Sequence, residues 1–369
     1  MEKRSLGKSG IEVSRLCFGT LALSYTQADL PPEEGGELIV YAAEKGVSFV
    51  DTAQLYETYA HIKYALRHTS QKIVISTKSY AFDAKTAQES VEQARRGTDA
   101  DVIDIFMLHE QESVLTMTGH KEALDYYLKM KDKGIIRAVG ISTHAIEPVR
   151  AVAQAKGFNP PGFCPPGFNP PGFHPPKTYQ TGSNFCELSK KIDENTNVDA
   201  WTGFDPGRYR EIDVIHPILN MTGIGLIDGT AAQMRQAVED AHSVGAGILG
   251  MKMLGGGNLF NDFDEAVKYA LSIEAADAYA VGMQNRYEID MNVALFENRK
   301  VPEELLAKTK ARKRVLKIED WCVGCGLCVK QCKTDALRIE NGKGCVDPEK
   351  CVLCSYCARV CREFAIKVI

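Results

Sequence analysis

The sequence has no stretch approaching the roughly 20 consecutive apolar residues of a membrane-spanning helix, and no apolar run follows the charged residues of its first ten positions. These absences speak against an integral membrane protein and a secretory leader, and a cytoplasmic chain is expected. It also lacks a charge of one sign. With 44 Lys and Arg against 48 Asp and Glu, the net charge is only −4, too small and mixed to favour nucleic acid or an anionic membrane as partner. A third absence is G-x-G-x-x-G after the first β-branched run, which argues against an open doubly wound dinucleotide-binding sheet. What remains is ordinary globular composition, 44% apolar and 25% charged over 369 residues, enough for one large core and a satellite.

The satellite declares itself in the last fifty residues. Eight cysteines fall into two runs of identical C-x2-C-x2-C-x3-C spacing, Cys322, Cys325, Cys328, Cys332 and Cys351, Cys354, Cys357, Cys361. Three thiolates on a tight loop hold three irons of a cubane, while the fourth cysteine reaches to the other cluster. One cluster is thus expected on Cys322, Cys325, Cys328 and Cys361, the other on Cys351, Cys354, Cys357 and Cys332. The second run repeats the first at an offset of 29 residues, and the repeat extends to Ala336-Leu337 against Ala365-Ile366, which marks duplicated folding units. Zinc would normally use two C-x2-C pairs and not four cysteines in one run. The pattern resembles a bacterial-type two-cluster [4Fe-4S] ferredoxin, with Lys333 and Arg362 where that family usually carries proline. Cys345 lies outside the repeat.

Upstream, short β-branched runs alternate with amphipathic stretches, the signature of β–α units around a parallel sheet. Strands are predicted at Val13–Thr20, Ser48–Ala53, Ile73–Ser79, Val102–His109, Ile136–Thr143, Ile212–Asn220, Gly247–Met253 and Ala278–Met283. Helices are predicted at Glu34–Lys45, Lys121–Lys133, Ile146–Lys156, Thr230–Ser243 and Arg286–Asn298. Eight such units close into a (β/α)8 TIM barrel with its active site at the C-terminal strand ends. The expected fold class is therefore α/β, a barrel over residues 1–300, a linker over 301–317 and a small α+β ferredoxin-like domain over 318–369. Gly255-Gly256-Gly257 follows the seventh strand, where barrels often bind phosphate.

An irregular insertion at about 157–210 begins with four tandem Gly-Phe-x-Pro-Pro pentads over residues 157–176. Paired prolines lack donors and hold the chain extended, so neither helix nor inner strand is possible there. The expectation is a tolerated surface expansion, with an arm over a neighbour or over the ferredoxin unit as the functional alternative.

Ionisable residues fall at the predicted strand ends: Asp51 and Tyr56, Lys78, His109. At these positions, and through Leu6-Gly7-Lys8-Ser9-Gly10, Phe18-Gly19-Thr20, Asp51-Thr52-Ala53, Ser76-Thr77-Lys78, Leu108-His109, Val139-Gly140-Ile141-Ser142 and Met251-Lys252-Met253-Leu254, the chain resembles the aldo-keto reductase family. The resemblance implies Asp51, Tyr56, Lys78 and His109 as the catalytic four. The chemistry agrees: a tyrosine of pKa about 10 is a poor acid at neutral pH, a neighbouring ammonium would lower that value, and an aspartate would hold the ammonium in place. His109 would hydrogen-bond the substrate oxygen.

The resemblance further implies NADP(H), with NAD(H) possible, held by Gly19, Thr20, Ser142, Thr143, His216, Lys252, Gly255, Gly282, Asn285, Arg286, Glu288 and Asn292. Where the family has a Ser-Asn pair, a glutamine and a stacking tyrosine around the nicotinamide, this chain has Ser142 with Thr143, His216 and Leu219. Arg286 would favour a 2′-phosphate. The expected activity is reduction of a small-molecule carbonyl, with Tyr56 as proton donor and hydride from NADP(H). The iron–sulfur unit needs separate explanation, because hydride transfer moves two electrons at once and clusters move one. A redox partner protein or ferredoxin feeding a one-electron reductase, or a non-catalytic docking protein, are the alternatives.

Overall fold

In the computed structural model, residues 1–158, 209–311, 314–332, 334–354 and 356–369 are described. Eight parallel strands close into a barrel: β3 (Leu16–Gly19), β4 (Phe49–Asp51), β5 (Val74–Ser79), β6 (Ile103–Leu108), β7 (Ile136–Thr143), β8 (Val214–Pro217), β9 (Gly247–Met251) and β10 (Ala278–Gly282). They neighbour one another in chain order, and β10 pairs with β3 to complete the ring. The fold is thus the mixed α/β barrel that the alternation of strand and helix signals predicts. Its strands are buried almost throughout, as parallel strands covered by helices on one side and a packed interior on the other must be.

Two boundaries differ from the sequence reading for physical reasons. Val13 and Ser14 do not belong to the first barrel strand. They lie in β2 (Glu12–Ser14), which pairs antiparallel with β1 (Lys3–Ser5), and this hairpin places Leu6, Ile11 and Val13 beneath the barrel interior. The Ser14 hydroxyl donates to the Leu16 carbonyl at 2.6 Å and accepts from Ser48 N–H at 2.9 Å, so the chain turns between β2 and β3. The sixth barrel strand is also shorter than expected: regular pairing covers Val214–Pro217, Pro217 has no N–H to give, and past it the Ile218 N–H reaches the Thr143 carbonyl and the Leu219 N–H the Met251 carbonyl.

Inside the ring, Cys17, Phe49, Ile105, Met107, Ala138, Val214 and Leu249 fill the interior. A larger core lies between the ring and the helices. The Gly-Phe-x-Pro-Pro insertion lies outside the described residues from 159 to 208; at its ends Lys156 Nζ donates to the Arg210 carbonyl at 2.8 Å and Arg210 Nε to the Ala155 carbonyl at 3.3 Å.

Residues 301–317 are not all linker. Glu303–Ala311 is a helix, and β11 (Leu316–Ile318) pairs antiparallel with β14 (Ile366–Val368) at the chain end. Between them β12 (Leu337–Glu340) and β13 (Lys343–Val346) form a hairpin. The internal repeat is visible in the backbone. Asp335 and Phe364, 29 positions apart, both take left-handed φ values of 52° and 47°, and Gly324 and Leu353 do likewise at 65° and 52°. A third core joins the C-terminal unit to the barrel: Ile224, Leu259 and Ala266 pack with Leu316, Leu337, Phe364, Ile366 and Val368.

Candidate active site

The four ionisable residues named from the sequence converge at the C-terminal end of the ring. Asp51 ends β4, Tyr56 lies in the 3-10 turn Gln54–Tyr56 just after it, Lys78 is in β5 and His109 follows β6. Lys78 Nζ donates to Asp51 Oδ1 at 2.8 Å, to Asp51 Oδ2 at 2.7 Å and to the Thr52 carbonyl at 2.8 Å. All three ammonium hydrogens are therefore engaged. Ser76 Oγ adds a bond to Asp51 Oδ1 at 3.0 Å. Burial opposes ionisation of Asp51, but the charges of Lys78 and His216 outweigh it and hold the carboxyl well below the usual range.

Lys78 Nζ lies 5.2 Å from the centre of the Tyr56 ring, yet the phenol is not acidified. Burial, and then the charges of Asp51, Glu110 and Tyr80, push its pKa well above the ordinary value. The sequence reading expected the opposite. The difference comes first from the burial of the phenol and then from Asp51, whose carboxylate also takes up the Lys78 ammonium. His109, 3% exposed, stacks on Tyr80 with ring centres 4.4 Å apart and meets Tyr56 edge-on at 5.9 Å. Its Nδ1 is buried with no hydrogen-bond partner among the described residues. Burial, then the Lys78 charge, depresses its pKa well below the usual value, so the ring is neutral at neutral pH and carries one N–H.

A cavity of about 780 Å³ opens over these side chains. Gly19, Gly282, Glu288 and Asn292 line it, and so do Lys252, Phe364 and Lys367. Ser142 and His216 also line it. Ser142 Oγ accepts from Glu110 N–H at 2.8 Å. His216 Nε2 lies 3.6 Å from Asp51 Oδ2, while its Nδ1 bonds the Leu249 carbonyl, so it belongs to the Asp51–Lys78 network. Asn292 Oδ1, in the lining of the same cavity, is buried without a partner among the described residues.

The other expected nucleotide contacts are occupied locally. Thr20 Oγ1 bonds Thr58 Oγ1 at 2.7 Å, and Thr143 Oγ1 caps the next turn through Ala145 N–H at 2.9 Å. Asn285 Oδ1 caps the helix Arg286–Phe296 through Glu288 N–H at 2.9 Å. Arg286 lies over the Tyr41 ring at 4.9 Å and 3.9 Å from Glu37 Oε2. Leu219 is 2% exposed and packed in the core behind the ring.

The glycine loop after β9 meets the C-terminal unit. Gly257 has φ +85°, and a Cβ there would lie 1.9 Å from the Val368 carbonyl oxygen. Asn258 Nδ2 donates to the Ile366 carbonyl at 3.2 Å, and Lys317 Nζ to the Thr26 carbonyl. Phe364 inserts beside the loop, 6.0 Å from the His144 ring. Sequence reasoning missed Phe364, Lys367 and His144 as parts of this site. A signal existed: the repeat places Asp335 where the second half has Phe364.

The cysteines suit a cluster. Cys322, Cys325, Cys328 and Cys361 surround one small cavity, the set that the crossed rule assigns to one cubane. Backbone N–H groups already point at sulfur: Gly344 at Cys322, Ala365 at Cys361 and Ala336 at Cys332, each at 3.3 Å. The last two are equivalent by the repeat. Such bonds stabilise thiolate and tune cluster potential.

Residues 15–175 match the aldo/keto reductase family, and residues 315–338 match a 4Fe-4S binding domain. The aldo-keto reductase YhdN of Bacillus subtilis is 28% identical over 181 residues, 44% of this chain and 54% of that protein. One component of an ion-translocating oxidoreductase complex from Methanosarcina acetivorans is 36% identical over 50 residues, 14% of this chain and 19% of that one. The chain thus spans about half the length of the former and a fifth of the latter. Among solved structures, an aldo-keto reductase of Bacillus halodurans in holo form superimposes with a TM-score of 0.55 at 17% identity, covering 85% of this chain and 97% of that one, which shows the fold. No helix among the described residues is long and apolar enough to cross a membrane.

Proposed function

We propose that this chain, which carries an aldo/keto reductase domain and a 4Fe-4S binding domain, is an oxidoreductase that reduces the carbonyl of a small molecule in the cavity over Tyr56 and His109, with NADP(H) as hydride source. The observation that carries the reading is the convergence of Asp51, Lys78, Tyr56 and His109 on one cavity. Its volume suits a small organic ligand.

A nicotinamide dinucleotide fits this chain in part. Glu288 and the unpartnered Asn292 Oδ1 would hold the adenosine end, Gly282 and Gly19 would let it approach the backbone, and Ser142 would face the carboxamide. When bound, the cofactor supplies a hydride to the carbonyl carbon. The protein does the rest. The neutral His109 donates its N–H to the carbonyl oxygen and favours the charge that develops there. Tyr56 passes its phenolic proton to that oxygen, with the Lys78 ammonium 5.2 Å from the centre of its ring and held in place by Asp51. Thr143, Asn285 and Arg286 have their side chains engaged locally. NADP(H) over NAD(H) rests on Arg286 alone.

The eight repeat cysteines would hold two [4Fe-4S] clusters, in a module that β11 extends back to Leu316 beyond the barrel of residues 1–300. A reducing cytoplasmic setting agrees with thiolate ligation. One observation favours a second reading in which an external redox partner or ferredoxin feeds electrons singly: Phe364, three residues beyond Cys361, forms part of the cavity wall. The clusters would then lie on the route to the carbonyl.

The test is anaerobic NADPH oxidation with a reactive ketone or aldehyde. Consumption that disappears in Tyr56→Phe supports hydride transfer. Turnover with dithionite-reduced protein and none with NADPH would replace it by the second reading.

A further inference from the structure

Two lysines from different domains meet at the cavity wall. Lys252, just after β9, holds a left-handed backbone, φ 58°, a costly conformation for a residue with a Cβ. It places Nζ 2.8 Å from His144 Nε2 and 3.9 Å from the centre of the Phe364 ring. Lys367, in β14, is 8% exposed and places Nζ 3.1 Å from the same ring.

Neither ammonium has a carboxylate within ion-pair distance among the described residues. The nearby acids are engaged elsewhere: Glu319 with Lys317 at 3.2 Å, Glu110 with the Tyr80 hydroxyl and, at 3.7 Å, with His144. The face of one phenylalanine offsets part of the charge. Lys367 Nζ also donates to the Phe364 carbonyl, a neutral partner, and Lys252 is partly buried; burial and the neighbouring Lys252 charge draw the Lys367 pKa well down, a cost that an anion between the two amines would offset. Both side chains line the cavity that holds Tyr56 and His109, so an anion reaching them would belong to the molecule placed there.

We propose that Lys252 and Lys367 form, across the junction of barrel and iron–sulfur module, a binding site for an anionic oxygen group, carboxylate or phosphate, carried by the molecule in the cavity. This rests on the reading that the cavity holds the reacting molecules. The group belongs either to the carbonyl substrate or to the phosphates of the dinucleotide.

Calorimetry on iron-loaded protein under argon, with 4-acetylbenzoate, its methyl ester and NADPH as probes, separates these sources. The wild type should bind the acid at least about tenfold more tightly than the ester, as one charged hydrogen bond allows. Lys252→Met and Lys367→Met should each remove that preference while leaving ester affinity unchanged, and Lys367→Arg should restore it. An unchanged NADPH affinity in these variants assigns the anion to the substrate. A tenfold loss of NADPH affinity, with acid and ester bound alike throughout, assigns it to the cofactor. Equal binding of acid and ester, with NADPH affinity unmoved by either Met variant, overturns the proposal. Because binding is read without turnover, a Tyr56→Phe protein that shows the same pattern keeps this result apart from any failure of the reductase reading.

Discussion

The ammonium of Lys252 lies 3.9 Å from the centre of the Phe364 ring, a contact between a barrel loop and the iron–sulfur module at the rim of the cavity over Tyr56. The module therefore forms part of the wall around the reacting groups. Lys252 is drawn down to a pKa of about 8, chiefly by burial, with Glu110 opposing and Lys78 assisting. Its cationic form is the one that attracts an anion. Lys367 is likewise drawn well below its ordinary value, by burial and then by the Lys252 charge, so the preference of the protein for 4-acetylbenzoate over its methyl ester should fall as pH rises and be lost above about 8. A ratio constant to pH 9.5 would show that Lys252 does not supply the attraction.

Lys78 and Asp51 form a buried pair at 2.7 Å, with side chains 2% and 5% exposed. Removing one partner strands the other charge, so Lys78→Met should cost about 3–5 kcal/mol in urea unfolding. The sign of the pH effect follows from Asp51, whose folded pKa is depressed. Its contribution is complete above the unfolded value of about 3.9 and declines as pH falls from there toward the folded value. Stability of the wild type should therefore drop below pH 4 more steeply than that of Asp51→Asn.

In the proposed reaction Tyr56 can act as the acid only while it is protonated, and burial keeps its pKa above the ordinary tyrosine value. The turnover number should stay flat from about pH 6 to pH 9 and fall only above about pH 10. A kcat profile that halves near neutrality would mean that Lys78 acidifies the phenol after all.

The cysteine set predicts metal content. Anaerobically reconstituted protein should hold about eight irons per chain, four per cubane. Cys361→Ser, which alters one ligand of the cavity formed with Cys322, Cys325 and Cys328, should lower iron to about half, with the far-UV spectrum of the barrel unchanged. Near-zero iron in the wild type would remove the ferredoxin-like reading.

The barrel was legible because parallel strands buried on both faces appear as short apolar runs at regular intervals. Its first strand reads three residues too early because Val13 and Ser14 look the same whether they pair in the ring or in the hairpin beneath it. Asp51, Lys78 and His109 could be located because strand ends in this architecture face one mouth. The protonation state of Tyr56 could not, since it depends on the burial of the phenol and then on Asp51. His216 stands where a carboxamide contact was expected, and only the register of β8 brings it to Asp51. Least legible was the docking of the module. Val368 against Gly257 is a contact between residues more than a hundred positions apart, and the only trace in the sequence is a phenylalanine at the repeat position of Asp335.

The central claim is that barrel and iron–sulfur module build one site, and Gly257 tests it most directly. A valine side chain there would collide with the Val368 carbonyl, 1.9 Å from the position of the first added carbon, at a φ of +85° that valine disfavours. Hydrogen exchange across β14 reports whether the strand has moved, and kcat/KM for the ketone or aldehyde probe reports the consequence. With β14 displaced and iron content intact, Gly257→Val should lose about a hundredfold in kcat/KM, the scale expected of a site misplaced by an ångström. An undiminished kcat/KM with β14 demonstrably displaced would contradict the account.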